Sequence, residues 1–91
     1  MKIRWTGKAH SDLARLSEFL AAVNTEAAAR TTSRLARAPE RLIEMPRVGE
    51  RLEEFAPREV RRLVVGAYEI HYEVVDQEIL IVRIWHTRES R

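Results

Sequence analysis

The spacing of apolar positions changes from helical to alternating near residue 59. Before that point, residues 2–6 predict a short strand, and residues 7–22 predict an amphipathic helix with Thr6 as its N-cap. Asn24 predicts the N-cap of a second helix, antiparallel to the first after a tight turn. The apolar positions of the first helix are Ala9, Leu13, Leu16, Leu20 and Val23.

Two prolines divide the second helical region. Pro39 lacks a backbone donor and disfavours helical geometry at the residue before it, so we expect a kink or a restart there. Pro46 is expected to end the element, and residues 46–58 to form a polar loop held by Leu52 and Phe55. The apolar stripe of this region is Ala28, Leu35, Leu42 and Ile43.

The remaining chain alternates between apolar and polar positions. Residues 59–65, 68–75 and 78–86 predict three antiparallel strands, joined by two-residue turns at Gly66-Ala67 and Asp76-Gln77. The predicted fold class is α+β, with the order strand–helix–helix–three-strand antiparallel meander. A single helical hairpin covers only one face of such a sheet.

The simplest register divides the meander into two faces. The face expected in the core carries Leu63, Val65, Tyr68, Ile70, Tyr72, Val74, Ile79, Ile81 and Trp85. Arg61 and Arg83 fall on the same side and would need ion-pair partners or a route to the surface. The opposite face carries an apolar strip made of Leu80, Val82 and Ile84. This strip is either a docking surface for another protein or is covered by residues 46–58.

Composition narrows the class of protein. The chain has 91 residues, enough for one domain over residues 1–91, and its 45% hydrophobic content is typical of a globular protein. It has no cysteine, no apolar run long enough to span a membrane and no signal-peptide pattern in residues 1–6, so a cytoplasmic location is expected. Arginine supplies fourteen of the 16 basic residues, which suits an acidic or phosphate-bearing partner.

The arginines form two groups. Four are spaced along one side of the second helical region: Arg30, Arg34, Arg37 and Arg41. This stripe is either an ordinary solvated face or a basic ridge that docks an acidic partner segment. The second group surrounds the meander and consists of Arg58, Arg61, Arg62 and Arg88. Glu59 and Glu89 are close enough in sequence to pair with part of it.

The three histidines are dispersed and show no metal-ligand spacing, so no metal and no cofactor are expected. His86 is the best candidate for proton transfer, because it ends the last predicted strand close to Arg88. A metal-free ribonuclease needs little more than an acid, a base and cations that stabilise the transition state. The alternative is that His86 hydrogen-bonds a backbone carbonyl and terminates the strand.

Segments along the whole chain resemble the RelE/ParE superfamily of toxins from bacterial type II toxin–antitoxin modules. Their order and spacing carry the resemblance, and residues 79–88 are the most specific segment. The other matching segments are Asp12-Leu13, residues 24–28, residues 42–49, residues 60–68 and Tyr72-Glu73-Val74. The resemblance implies a RelE/ParE-like fold in which the helical hairpin packs on one face of the sheet.

The resemblance also implies a growth-inhibiting toxin that a cognate antitoxin protein neutralises, with no membrane involved. In such pairs, the C-terminal segment of the antitoxin wraps the helices and the sheet of the toxin. The expected antitoxin-binding residues are Arg30, Arg34, Arg37 and Arg41, together with Leu80, Val82 and Ile84.

Members of the superfamily differ in their targets, since RelE-like toxins cleave mRNA on the ribosome without a metal and ParE-like toxins poison DNA gyrase. For a nuclease, the resemblance implies catalytic roles for His86, Arg88, and Arg61 or Arg62. Glu69 stands where the nuclease pattern has an arginine, so a phosphate would meet a carboxylate. We therefore expect an inhibitor of DNA gyrase, with an mRNA endoribonuclease and an inactive interaction module as the alternatives.

Overall fold

The computed structural model describes residues 1–89 and contains three α-helices and five strands in this range. The elements are β1 (Lys2–Trp5), α1 (Gly7–Ala21), α2 (Thr25–Arg37), a 3₁₀ turn (Ala38–Glu40), α3 (Arg41–Glu44), β2 (Glu50–Arg51), a second 3₁₀ turn (Glu53–Phe55), β3 (Val60–Val65), β4 (Tyr68–Val75) and β5 (Glu78–His86). The strands form one sheet in the order β1-β5-β4-β3-β2. β1 pairs with β5 in parallel, and the other pairs are antiparallel. The predicted α+β architecture is confirmed, and β2 is an additional strand within the expected loop.

The predicted helix caps are confirmed. The Thr6 hydroxyl accepts a hydrogen bond from the Ala9 N–H at 3.0 Å, and the Asn24 side chain accepts one from the Ala27 N–H at 3.0 Å. Each cap satisfies a donor that has no partner inside the helix. The restart at Pro39 is also confirmed, because α2 passes through the first 3₁₀ turn into the short α3.

Both predicted hairpins are confirmed with their two-residue turns, closed by Val65 opposite Tyr68 and by Val75 opposite Glu78. Gly66 has a φ of 59° and Asp76 a φ of 54°, so each turn places one residue in the left-handed region. Glycine reaches this region without a steric cost, and aspartate is among the few other residues that tolerate it.

The core lies between the helices and one face of the sheet. Its buried apolar residues are Ala9, Leu16, Leu35, Leu42, Leu63, Ile70, Tyr72, Val74, Ile79, Ile81 and Ile84. Three residues predicted to be apolar anchors are exposed instead: Val23, Ile43 and Phe55. Val23 lies beyond the end of α1, and Ile43 lies in α3, whose buried residue is its neighbour Leu42. Leu52 is buried as expected.

The register of the last hairpin differs from the prediction because β5 contains a bulge. Tyr72 pairs with Ile81, but the preceding residue, His71, pairs with Arg83. Val82 is therefore an extra residue that has no partner of its own on β4. A one-residue bulge reverses which alternate positions face the core.

The bulge corrects three assignments in β5. Ile84 was expected in the outer apolar strip, but it is completely buried in the core and cannot contact a partner. Trp85 was expected in the core, but it pairs with Glu69 on the opposite face and is partly exposed. Arg83 was expected on the core face, but it lies opposite His71 at the end of the bulge.

Asp12 of α1 holds the bulge in place. Its carboxylate accepts hydrogen bonds from the Arg83 guanidinium at 2.8 and 3.1 Å, from the Ile84 N–H at 2.9 Å and from Arg15 at 3.3 Å. Burial acts to raise the pKa of Asp12, but the hydrogen bonds from these three donors outweigh it and lower the pKa below the usual range. The carboxylate is thus ionised at neutral pH and ties α1 to the last strand.

We predict that Asp12→Asn destabilises the fold. The free energy of unfolding at neutral pH is expected to fall by about 2–3 kcal/mol, because the variant breaks a largely buried ion pair while keeping its shape. Urea denaturation followed by circular dichroism measures the change. The matched control is Glu26→Gln, whose exposed pair with Arg30 spans 3.9 Å and should contribute less than about 0.5 kcal/mol.

The ionisation of Asp12 also predicts that the stability difference between wild type and Asp12→Asn depends on pH. The folded-state pKa of Asp12 is lowered, so its contribution is complete above the unfolded value of about 4 and is lost as the pH falls through the folded value. The stability difference between wild type and Asp12→Asn should shrink on acidification below about pH 4. A difference that stays constant down to about pH 2 would contradict the role given to this carboxylate.

Gly49 is a second point of close packing. Its N–H donates to the Tyr72 hydroxyl oxygen at 3.0 Å, and the Tyr72 hydroxyl donates to the Pro46 carbonyl at 2.9 Å. The Gly49 carbonyl accepts from Arg61 at 2.7 Å. A Cβ atom at Gly49 would lie 2.6 Å from the Arg62 carbonyl oxygen and 2.7 Å from the Tyr72 hydroxyl oxygen. Only glycine fits this position.

We predict that Gly49→Ala lowers the free energy of unfolding by about 2–3 kcal/mol, because the added methyl group overlaps backbone that cannot easily move. The control is Gly7→Ala, since a Cβ at Gly7 meets nothing within 4 Å. This control should leave stability unchanged or raise it by up to about 1 kcal/mol. Equal effects of the two substitutions in thermal denaturation would show that steric overlap is not the cause.

Candidate functional site

Three arginines of the predicted stripe line a shallow groove of about 540 Å³. Arg34 and Arg37 come from the end of α2, Arg41 comes from α3, and residues 63–66 of β3 and its turn form the opposite side. All three side chains are exposed, and within residues 1–89 none of them forms an ion pair. Arg30 does not line the groove and lies 3.9 Å from Glu26, so the structure separates it from the other three.

His86 lines a different groove, of about 440 Å³, at the end of β5. Its Nδ1 accepts a hydrogen bond from the Arg88 N–H at 3.1 Å, and its ring packs edge-to-face on Tyr68 with centroids 5.2 Å apart. The backbone N–H of His86 donates to the Glu89 carboxylate at 2.8 Å, and Glu89 also pairs with Arg15 at 2.5 Å. The imidazole therefore bonds a backbone amide, where the sequence suggested a carbonyl.

The two arginines of β3 are held by carboxylates. Arg61 donates to Glu59 at 2.8 Å as well as to the Gly49 carbonyl, and only 16% of its side chain is exposed. Arg62 donates to Glu50 and lies 3.8 Å from Glu69. The hydrogen bond from Arg47, assisted by that from Arg61, lowers the pKa of Glu59 against the opposing effect of burial. Both arginines serve structural ion pairs in this arrangement.

The four residues considered for catalysis do not converge. His86 and Arg88 are adjacent, but Arg61 lies four residues along β3 from Val65, two strands away from His86. With about 3.4 Å per residue and about 4.8 Å between strands, their Cα atoms are about 17 Å apart. Arg62 points to the opposite face of the sheet from Arg61.

The outer face of the sheet is mostly polar. Leu80 and Val82 are half-buried, so they remain candidates for an exposed contact, whereas Ile84 does not. Beside them, Trp85 contacts the His71 ring at 4.6 Å between centroids, and the Arg83 guanidinium carbon lies 4.6 Å from the Trp85 centroid.

The negative charge of the Glu69 carboxylate is offset by a nearby arginine. Glu69 and His71 are both buried on the outer face, with 3.1 Å between Oε1 and Nε2, and Arg62 is the nearby cation. The sequence raised the concern that a carboxylate here is costly without a neutralising partner, and Arg62 supplies one.

Sequence reasoning missed two exposed apolar residues at the groove margins. Phe19 of α1 is 71% exposed and lines the His86 groove, and Val64 of β3 is 58% exposed and lines the arginine groove. Phe19 falls outside the apolar stripe of α1, which was a signal available in the sequence. The position of Val64 beside the arginines depends on how α2 packs, which no local pattern indicates.

Within residues 1–89, no group of three His, Asp or Glu side chains is placed to hold a metal ion. No helix in the same range has both the length and the apolar character needed to cross a membrane.

Comparison with known proteins adds the following. A family model described as the ParE toxin of type II toxin-antitoxin system, parDE, matches residues 3–91. A chain of the solved structure titled "Chromosomal ParDE TA system from P. aeruginosa" matches with a TM-score of 0.78 and 24% sequence identity. This match covers 94% of the present chain and 95% of that chain. No curated protein matches. The structural match confirms the fold, and the family match covers nearly the whole sequence.

Proposed function

Because this chain belongs to the ParE toxin family of type II toxin–antitoxin systems, we propose that it inhibits DNA gyrase in the cytoplasm until its cognate antitoxin binds it. Family membership makes the chain the toxin component and makes a cognate antitoxin its partner. The target and the location within the cell are the proposed parts. A toxin of this kind acts by binding, so it needs exposed contact surfaces and no assembled catalytic group.

The observation that carries the choice of target is the disposition of Arg61 and Arg62. Cleavage of an RNA phosphodiester requires cations close to the acid and the base, where negative charge develops. Here, both arginines hold carboxylates of their own chain, and the Cα atom of Arg61 lies about 17 Å from that of His86. Glu69 adds a buried carboxylate on the same sheet. This arrangement supports a binding toxin over a nuclease.

The antitoxin is proposed to contact two surfaces. The first is the group of Arg34, Arg37 and Arg41 with Arg30 one helical turn away, where exposed guanidinium groups favour an acidic segment. The second is the half-buried pair of Leu80 and Val82 on the outer face. Contacts both on the helical side and on the outer face of the sheet suit a partner segment that folds as it binds.

One observation favours the second candidate, a ribosome-dependent mRNA endoribonuclease. His86 and Arg88 are adjacent at an open groove that also contains Tyr68, and a proton-transferring residue beside a cation is part of what such an enzyme needs. The two candidates differ in the molecule that is damaged when the toxin acts.

We predict that expression of the chain without an antitoxin causes DNA breaks and leaves mRNA intact. Induced cells should arrest growth and switch on a DNA-damage reporter, and primer extension should show no new mRNA ends. In a purified supercoiling assay, the chain should inhibit DNA gyrase without ribosomes present. Expression without growth arrest would instead indicate an inactive interaction module.

Variants of His86 and Arg88 separate the two candidates. For a nuclease, His86→Ala should reduce mRNA cleavage by about 100-fold or more, the usual contribution of general acid–base catalysis. For a gyrase inhibitor, the same variant has no reaction step to abolish. Glu26→Ala, exposed on α2, is the control for expression level. New mRNA ends that disappear in His86→Ala and Arg88→Ala would overturn the proposed target.

A further inference from the structure

The groove beside His86 combines apolar and polar lining residues. Leu16, Phe19 and Leu20 of α1 supply its apolar part, together with the ring of Tyr68. Phe19 is 71% exposed, so much of this apolar surface is in contact with water. A ligand that covers such a surface with an apolar body gains binding free energy. The volume of about 440 Å³ is in the range of sites that hold small molecules.

Three polar groups of the lining can donate hydrogen bonds to a ligand. The Nδ1 atom of His86 accepts from the Arg88 backbone N–H at 3.1 Å, so Nε2 carries a proton. Within residues 1–89, this Nε2–H and the Tyr68 hydroxyl have no hydrogen-bond partner. In the same range, the exposed guanidinium of Arg88 forms no ion pair. The groove therefore offers an N–H, an O–H and a cation to one ligand.

The acidic residue of the lining is already engaged. Oε1 of Glu89 accepts from the His86 backbone N–H at 2.8 Å, and Oε2 accepts from Arg15 at 2.5 Å. Arg15 thus offsets the charge of Glu89, and Arg88 is the cation of the lining that is left over. A ligand with one negative charge would balance it.

We propose that this groove binds a small organic molecule in which an apolar ring carries a single carboxylate. The ring would lie against Phe19 and Leu20. The carboxylate would pair with Arg88, because a planar carboxylate matches the fork of a guanidinium, and would accept from His86 Nε2 and the Tyr68 hydroxyl. A phosphate monoester carries up to two charges and would leave one of them unbalanced. An amine would meet a cation.

This site goes beyond the proposed function and does not depend on it. It lies at the end of β5, and none of its lining residues belongs to the groove of Arg34, Arg37 and Arg41. The second candidate function, an mRNA endoribonuclease, would require the same His86 and Arg88 to bind a phosphate. The preferred anion therefore distinguishes a carboxylate site from a nuclease site.

The test titrates the purified chain with hydrocinnamate, a phenyl ring joined to a carboxylate by two methylene groups, and follows binding by NMR. Nuclear Overhauser effects should connect the ligand ring to the Leu20 methyl groups and the Phe19 ring, and the His86 ring resonances should shift. Two further probes divide the ligand. The neutral amide hydrocinnamamide keeps the ring, and acetate keeps the carboxylate. Each should bind at least about tenfold more weakly than hydrocinnamate, since each lacks one of the two contacts.

Two pairs of variants assign the contacts. Arg88→Gln should weaken binding of hydrocinnamate at least about tenfold, and Arg37→Gln, which removes an equally exposed arginine outside this groove, should bind as wild type. Phe19→Ala should weaken binding at least about threefold, because apolar contact area is lost. Its control is Val23→Ala, since Val23 is 83% exposed and does not line the groove.

The inference would be overturned by equal binding of the acid and its amide, by equal effects of Arg88→Gln and Arg37→Gln, or by ligand contacts outside the groove. Tighter binding of uridine monophosphate at His86 and Arg88 would also overturn it and would indicate a phosphate site. Tighter binding of a hexapeptide that ends in phenylalanine would assign the groove to a protein terminus instead. The experiment involves neither growth arrest nor DNA gyrase, so its failure and the failure of the proposed function are separate results.

Discussion

The fold depends on the contact between the Asp12 carboxylate and the bulge of β5. This one side chain satisfies the Ile84 N–H, pairs with Arg83 and joins the first helix to the last strand. At this point β1 has already ended. The Asp12 side chain of α1 therefore accepts the backbone hydrogen bond that a neighbouring strand would otherwise accept. The Thr6 hydroxyl donates a hydrogen bond to the Val82 carbonyl at 2.9 Å, so the start of α1 also stabilises the bulge. Side chains after the bulge, among them His86, owe their orientation to this contact.

The cations of the chain divide into those that hold the structure and those that remain for a partner. Arg58, Arg61, Arg62 and Arg83 each meet a carboxylate of their own chain at the sheet, most of them partly buried. Arg34, Arg37 and Arg41 lie exposed on the helical side next to an open strand edge. A net charge of +2 conceals this division, because the internal pairs account for most of the acidic residues near the sheet. Fewer arginines therefore remain to contact a partner than their total number suggests.

Local chemistry made much of the fold predictable. The caps at Thr6 and Asn24, the restart at Pro39 and the two hairpin turns each follow from residues within a few positions, and the structure confirms them. The bulge was not predictable in this way, because the group that stabilises it lies some seventy residues earlier in the sequence. That single miss placed Ile84 in the docking strip and Trp85 in the core. The stripe of arginines was visible from spacing, but its division between Arg30 and the other three follows from how α2 and α3 pack beside β3.

The extra residue at Val82 has an evolutionary consequence. Loss of this one codon would remove the bulge and leave His71 opposite Arg83, so the following residues of β5 would keep their present faces. A strand that kept Val82 but lost the bulge would instead bury the tryptophan and move the isoleucine to the outer face. Relatives that differ by one residue in this strand should therefore not be aligned residue by residue across it when their recognition surfaces are compared.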